Sequence, residues 1–214
     1  MKGHYLKYLS LLCLLGVNLA QADSSLYSQQ CAACHGQNGA GNKAIKAPAI
    51  AGLSEDYLVR QLSNFKSGLR GNAPQDTSGN MMAAITKSLS KAQIEKVSQY
   101  LATQPFVSAP PPTNTGGFMG RGLYRNCGSC HGAQAQGEPE LHAPRLAGQH
   151  GWYLLAQLQK FKAGLRGLHA KDKFGQQMHM VSQGLDFETQ VPSILAFIAH
   201  RKVLPSHDNS ASRH

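Results

Sequence analysis

The chain has 214 residues, room for one large or two small domains, and a formal charge of +10 from 21 Lys+Arg against 11 Asp+Glu. The basic residues are scattered, with no run longer than Arg201-Lys202, which argues against a nucleic-acid-binding reading. The balance suits an acidic protein partner or peripheral association with an anionic membrane surface.

At the N-terminus, Lys2 and Lys7 precede an apolar run from Leu9 to Ala20 and a small-x-small site at Ala20-Gln21-Ala22. This is the pattern of a cleaved export signal over residues 1–22, and the run is too short for a membrane anchor. Cys13 leaves with it and follows Leu12, not the small residue a lipoprotein site needs. Losing Lys2 and Lys7 lowers the formal charge from +10 to +8. The expected location is the periplasm.

The exported part keeps four cysteines, and in an oxidising compartment four cysteines suggest disulfides. Here they form two Cys-x-x-Cys pairs, Cys31/Cys34 and Cys127/Cys130, each followed at once by histidine, His35 or His131. That spacing is the attachment signal for c-type haem, with both cysteines of a pair in thioethers and the histidine beneath the iron. A zinc site needs four clustered ligands, and three in each unit do not supply them. Two c-type haems are therefore expected. Their four propionates bring the net charge towards about +4.

After the first motif, Ser54-Glu55-Asp56 reads as a helix start, and Tyr57, Leu58, Gln61, Leu62 and Phe65 follow at helical spacing. Ser90-x-x-Gln93 reads as a capping box, with Ile94, Val97 and Leu101 forming one apolar face beyond it. Pro105, Pro110-Pro111-Pro112 and Gly116-Gly117 then break regular structure. Beyond them the pattern returns at an offset of 96 residues: Ala47-Pro48 meets Ala143-Pro144, and Gln61 to Gly71 meets Gln157 to Gly167. The last helix is displaced by one further residue, with Pro192 in its first turn. No segment alternates with period two.

The expected fold is all-α, two tandem units each built around one covalently bound haem. Domain 1 spans residues 23–105, a Pro/Gly-rich linker 106–117, and domain 2 residues 118–205. A disordered tail over 206–214 is expected.

The sixth iron ligand decides the chemistry. Met81, Met82, Met178 and Met180 are candidates, and the register separates them. Met82 maps onto Met178, whereas Met81 maps onto Gln177 and Met180 onto Ala84. Met82 and Met178 are the expected ligands, although a methionine at helical spacing is commonly core. His179, beside Met178, is a competing donor. His/Met ligation fills both axial positions, raises the potential and leaves no open site for small molecules, so the expectation is a carrier and no enzyme. Pro48 and Pro144, each 13 residues after a haem histidine, offer a carbonyl to the imidazole N–H. Arg70 and Arg166 are candidates to pair with propionates, the alternative being exposed arginines at helix ends.

The doubled Cys-x-x-Cys-His-Gly, the Pro-x-x-x-Gly loops, the Gln-Leu-x-x-Phe-x-x-Gly-x-Arg helix ends and the Met82–Leu89 and Met178–Leu185 segments together resemble the dihaem cytochrome c4 family. The resemblance spans nearly the whole exported chain. It implies two class I cytochrome c domains in a periplasmic respiratory carrier, with a quinol-oxidising complex or dehydrogenase as donor and a terminal oxidase as acceptor. One departure is that Tyr27 lies four residues before Cys31 but Tyr124 only three before Cys127. Similar chains also serve as the electron-accepting subunit of a periplasmic dehydrogenase, such as a sulfide-oxidising flavocytochrome. A dihaem thiosulfate dehydrogenase or peroxidase is a further alternative.

Overall fold

The computed structural model describes residues 17–109 and 117–201, with side chains from Ser24 in the first stretch and Met119 in the second. The expected leader (but for the backbone of 17–22), linker residues 110–116 and the tail lie outside the described residues. The chain divides between Pro105 and Phe106 into two units. Both are all-α, as expected, and no strand occurs among the described residues beyond two isolated bridges.

Unit 1 contains α1 (Val17–Gln30), α2 (Ala32–His35), α3 (Glu55–Lys66), α4 (Thr77–Lys87) and α5 (Lys91–Thr103). Ser90 starts α5 with the capping box its sequence predicts: its hydroxyl accepts from the Gln93 amide while Gln93 Oε1 accepts from the Ser90 amide. Two orphan N–H groups at the helix start are thereby satisfied. Ile94, Val97 and Leu101 are buried, and the last two join Tyr27, Leu53 and Leu58 in one core.

Unit 2 contains α6 (Gly117–His131), a 3-10 turn (Pro139–Leu141), α7 (Gly151–Lys162), α8 (Lys173–Gln183) and α9 (Gln190–Ala199). Its core gathers Tyr124, Leu154, Ile194, Phe197 and Ile198. Pro192 sits in the first turn of α9, where its missing N–H would have had no helical partner. The terminal helices meet closely at Gly120: a Cβ there would stand 2.4 Å from the Ser193 carbonyl oxygen. Only glycine permits that approach.

Residues 106–109 pack on unit 2. The Arg145 guanidinium lies 3.6 Å above the Phe106 ring, and the Ala109 amide donates to the Gly148 carbonyl at 2.8 Å. Burial pulls the Arg145 pKa down to about 10.

The one-residue difference before the two Cys-x-x-Cys motifs is absorbed at Cys31. In unit 2, α6 runs unbroken through Cys127 to His131, whereas in unit 1 the helix breaks at Cys31 (φ −122°, ψ −38°) between α1 and α2. Tyr27 and Tyr124 consequently reach the same place. Each donates its phenol O–H to the carbonyl of the glycine after the haem histidine, Gly36 or Gly132 (2.9 Å for Tyr124). Each ring also packs on the last helix of its unit, Tyr27 on Tyr100 (5.6 Å) and Tyr124 on Phe197 (4.9 Å). Tyr100 and Phe197 are 97 apart, as are the two tyrosines, so both terminal helices shift together.

Candidate haem centres

In each unit the Cys-x-x-Cys-His segment closes a helix and a tight loop folds back over the histidine. The His35 carbonyl accepts from the Gly41 amide and the His131 carbonyl from the Gly137 amide, both at 2.9 Å. Gly41 and Gly137 have φ +86° and +84°, and a Cβ at either would lie 2.6 Å from backbone of the returning Pro48 or Arg145. Glycine is needed twice over, for the left-handed conformation and for the close approach. The loop thereby brings a proline carbonyl to each imidazole: Nδ1–H donates to Pro48 O at 2.9 Å from His35 and to Pro144 O at 2.8 Å from His131. Both histidines are buried, and that burial lowers their pKa against the opposing effect of the carbonyl bond. A neutral imidazole with Nδ1 engaged leaves Nε2 as its electron-pair donor.

None of the four cysteines is in a disulfide; Cys31, Cys34 and Cys127 are half-buried and Cys130 is exposed. Burial pushes the Cys31 thiol up to about 11 and raises Cys127 in the same direction. Among the described residues no three His, Cys, Asp or Glu side chains converge on an ion-sized site. Two thiols and one buried imidazole per unit therefore fit a macrocycle held at its edge rather than a tetrahedral ion.

The methionine candidates lie on α4 and α8. Met82 and Met178 are half-buried, whereas Met81 is 55 % and Met180 66 % exposed. The start of each helix is fixed by a buried aspartate, Asp76 or Asp172, which accepts from the Gly79 or Gly175 amide at 2.9 and 3.0 Å. The far end is tied by a lysine of the preceding helix: Lys66 Nζ donates to Lys87 O and Leu89 O, and Lys162 Nζ to Leu185 O. His179 is also engaged, its Nδ1–H donating to Phe161 O at 2.6 Å.

Arg70 and Arg166 are not exposed helix ends. Both are buried, with Nη1 donating to Gln61 Oε1 at 2.7 Å and to Gln157 Oε1 at 2.8 Å. Each guanidinium also stacks 4.4 Å above a ring, Phe65 or Phe161. The duplicated Gln-x-x-x-Phe-x-x-x-x-Arg pattern is thus one built unit: the amide and the ring hold the cation in place. A buried cation so held is suited to a carboxylate.

Sequence reasoning passed over the aspartate caps, the tyrosine–glycine bonds and the lysine ties. The caps had a visible signal, since Asp76-x-x-Gly79 recurs 96 residues later as Asp172-x-x-Gly175. The tyrosines stood out only as a departure from the register, because their offset is 97, and their shared role was not visible.

Fold and sites define a c-type cytochrome with two haem-attachment units. The cytochrome c family model matches residues 21–105 and 119–202, and the chain belongs to that family. Its two cytochrome c domains with their cysteine pairs imply two c-type haems. The chain is 33 % identical to the thiosulfate dehydrogenase electron acceptor of Thiomonas intermedia over 85 % of its length and 82 % of that protein. It is 31 % identical to cytochrome c4 of Azotobacter vinelandii, over 64 % of this chain and 69 % of the other. The crystal structure of reduced cytochrome c4 from Pseudomonas stutzeri superposes with a TM-score of 0.68 at 26 % identity, covering 84 % of this chain and 96 % of that one. The protein is a dihaem, cytochrome c4-like electron carrier.

Proposed function

We propose that this carrier works in the periplasm with both irons closed, His35 with Met82 and His131 with Met178. It shuttles freely, taking electrons from a quinol-oxidising complex and delivering them to a terminal oxidase. The observation that carries the closed-iron reading is the pairing of register with burial. Met82 and Met178 occupy equivalent, half-buried positions on helices pinned at both ends, while their neighbours Met81 and Met180 face out.

Bound haem supplies a one-electron ferric/ferrous couple. The chain's own groups set its character. Each histidine offers Nε2 while the Pro48 or Pro144 carbonyl fixes its ring plane and raises its basicity. A Met82 or Met178 thioether as ligand would favour the ferrous state and a high potential. Arg70 and Arg166, aligned by Gln61 and Gln157, would pair with the haem propionates. The leader pattern at residues 1–22 supports the periplasmic location. Adding carbon monoxide to the reduced protein tests the closed sites: the ferrous spectrum should stay unchanged, and ready binding at either iron overturns the reading.

A second reading, favoured by the likeness to the Thiomonas protein across most of the chain, places a thiosulfate-oxidising enzyme as the donor. Gel filtration of the native extract distinguishes the two: a tightly held catalytic subunit supports the second, and a free dihaem protein the first.

A further inference from the structure

The two units share one plan, but the outer side of the haem-attachment helix differs in charge between them. In unit 2, Arg121, Arg125 and Arg201 line a groove of about 740 Å³. Its floor is aromatic, from Tyr124 and Phe197, and Gly128, between the haem cysteines, forms part of its wall. The Arg201 guanidinium lies 4.2 Å above the Phe197 ring, and its Nη1 donates to Gln134 Oε1 at 3.4 Å. At the offset of 97 that aligns the terminal helices, unit 1 carries Ser24, Ser28 and Gln104 instead. Gln104 keeps the local backbone bond of Arg201, donating to Tyr100 O as Arg201 Nε donates to Phe197 O. The three positive charges are present in unit 2 alone.

Among the described residues no acidic side chain forms an ion pair with the three arginines. The ion pairs among the described residues, Arg60–Asp56 and Lys91–Glu95, both lie in unit 1. Arg121 and Arg125 are exposed on one face of α6, four residues apart, so like charges are held together at a cost to the helix. Planar guanidinium groups match carboxylates with two parallel N–H bonds, and Arg201 is already oriented by its ring.

Resting on the carrier reading above, we propose that this groove is the docking site for a carboxylate-bearing segment of a redox partner protein, presented to unit 2 rather than unit 1. A concave slot with an aromatic floor receives an extended acidic segment better than it receives a flat bilayer. A second copy of this basic groove would be repelled. With Gly128 in the wall, the bound segment lies against the helix that holds the second haem's cysteines. Electrostatic attraction there speeds encounter and selects the approach.

The test uses the full haem-loaded protein and a labelled deca-glutamate peptide, read by fluorescence anisotropy at low and physiological salt. Replacing Arg121→Ser, Arg125→Ser and Arg201→Gln installs residues that unit 1 already accepts at these positions. This triple variant should bind the peptide at least roughly tenfold more weakly. A control of equal charge loss, Lys43→Ser, Lys96→Ser and Lys171→Ser, should bind nearly as well as the parent. Gly122→Glu should also weaken binding, since a side chain there enters open space at the groove and adds a carboxylate. Equal losses in the triple variant and the control, or an unaffected Gly122→Glu, overturn the proposal. So does binding to phosphatidylglycerol vesicles without binding to the peptide, which would assign the groove to membrane. Haem content and a one-electron redox titration on the same sample keep the readings apart. If two haems titrate normally and the peptide fails, only the docking site falls; if the titration fails, the carrier reading falls with it.

Discussion

Replacing Tyr27 or Tyr124 by phenylalanine removes one hydroxyl at the turn that follows a haem histidine. A first estimate would leave a buried carbonyl unsatisfied, at about 1–3 kcal/mol. The structure argues for less. The Gly36 carbonyl also accepts from the Gly39 amide at 3.1 Å, and the Gly132 carbonyl from the Ala135 amide at 2.9 Å. Each keeps one partner, so the loss is that of a net hydrogen bond, about 1 kcal/mol. The ring and its packing on Tyr100 or Phe197 remain. For a unit of this size, about 1 kcal/mol corresponds to a fall in Tm of about 4–8 °C. Tyr27→Ala and Tyr124→Ala also empty the core and should cost about 3–5 kcal/mol. Thermal unfolding of the haem-loaded variants, followed in the Soret band and by far-UV circular dichroism, measures all four. A phenylalanine variant that melts with the parent would refute the hydrogen-bond argument, and one that melts with its alanine counterpart would refute the role of the second partner.

Met82→Ala should abolish the methionine–ferric charge-transfer band of one haem and lower its potential, and Met178→Ala should do the same to the other; spectroelectrochemical titration separates them, and a band that survives a substitution removes that methionine as ligand. Gly120→Val should destabilise unit 2 by about 1–3 kcal/mol, because its side chain meets the Ser193 carbonyl, and denaturant unfolding should show a lower midpoint. Burial raises the Tyr27 pKa to about 12 and raises that of Tyr124 in the same direction. Unfolding then exposes phenols that ionise near pH 10, so the unfolded state binds fewer protons and stability falls as pH rises above about 10. That alkaline loss should be smaller in Tyr27→Phe, as denaturant midpoints between pH 9 and 12 would show.

Much of this protein was legible without coordinates because its information is duplicated and local. Cys31, Cys34 and His35 are covalently close, so their spacing alone specifies attachment. Comparison with Cys127, Cys130 and His131 turned one motif into a domain repeat and singled out Met82 and Met178. Helix starts such as Ser90-x-x-Gln93 were equally readable, since a cap involves only residues within one turn. Tertiary structure decided what depends on segments meeting across a loop. Arg70 and Arg166 end helices in the sequence, where exposure is the ordinary outcome, yet folding buries each beneath an amide and a ring. The unequal spacing of Tyr27 and Tyr124 left open whether the two N-terminal helices pack alike; a helix break at Cys31 brings each hydroxyl to the equivalent glycine carbonyl of its unit. Arg201 lies far along the chain from Arg121 and Arg125, and it joins them in one groove only because α6 and α9 pack together at Gly120. Local patterns are written in consecutive residues, but a charge's neighbours are chosen by the fold.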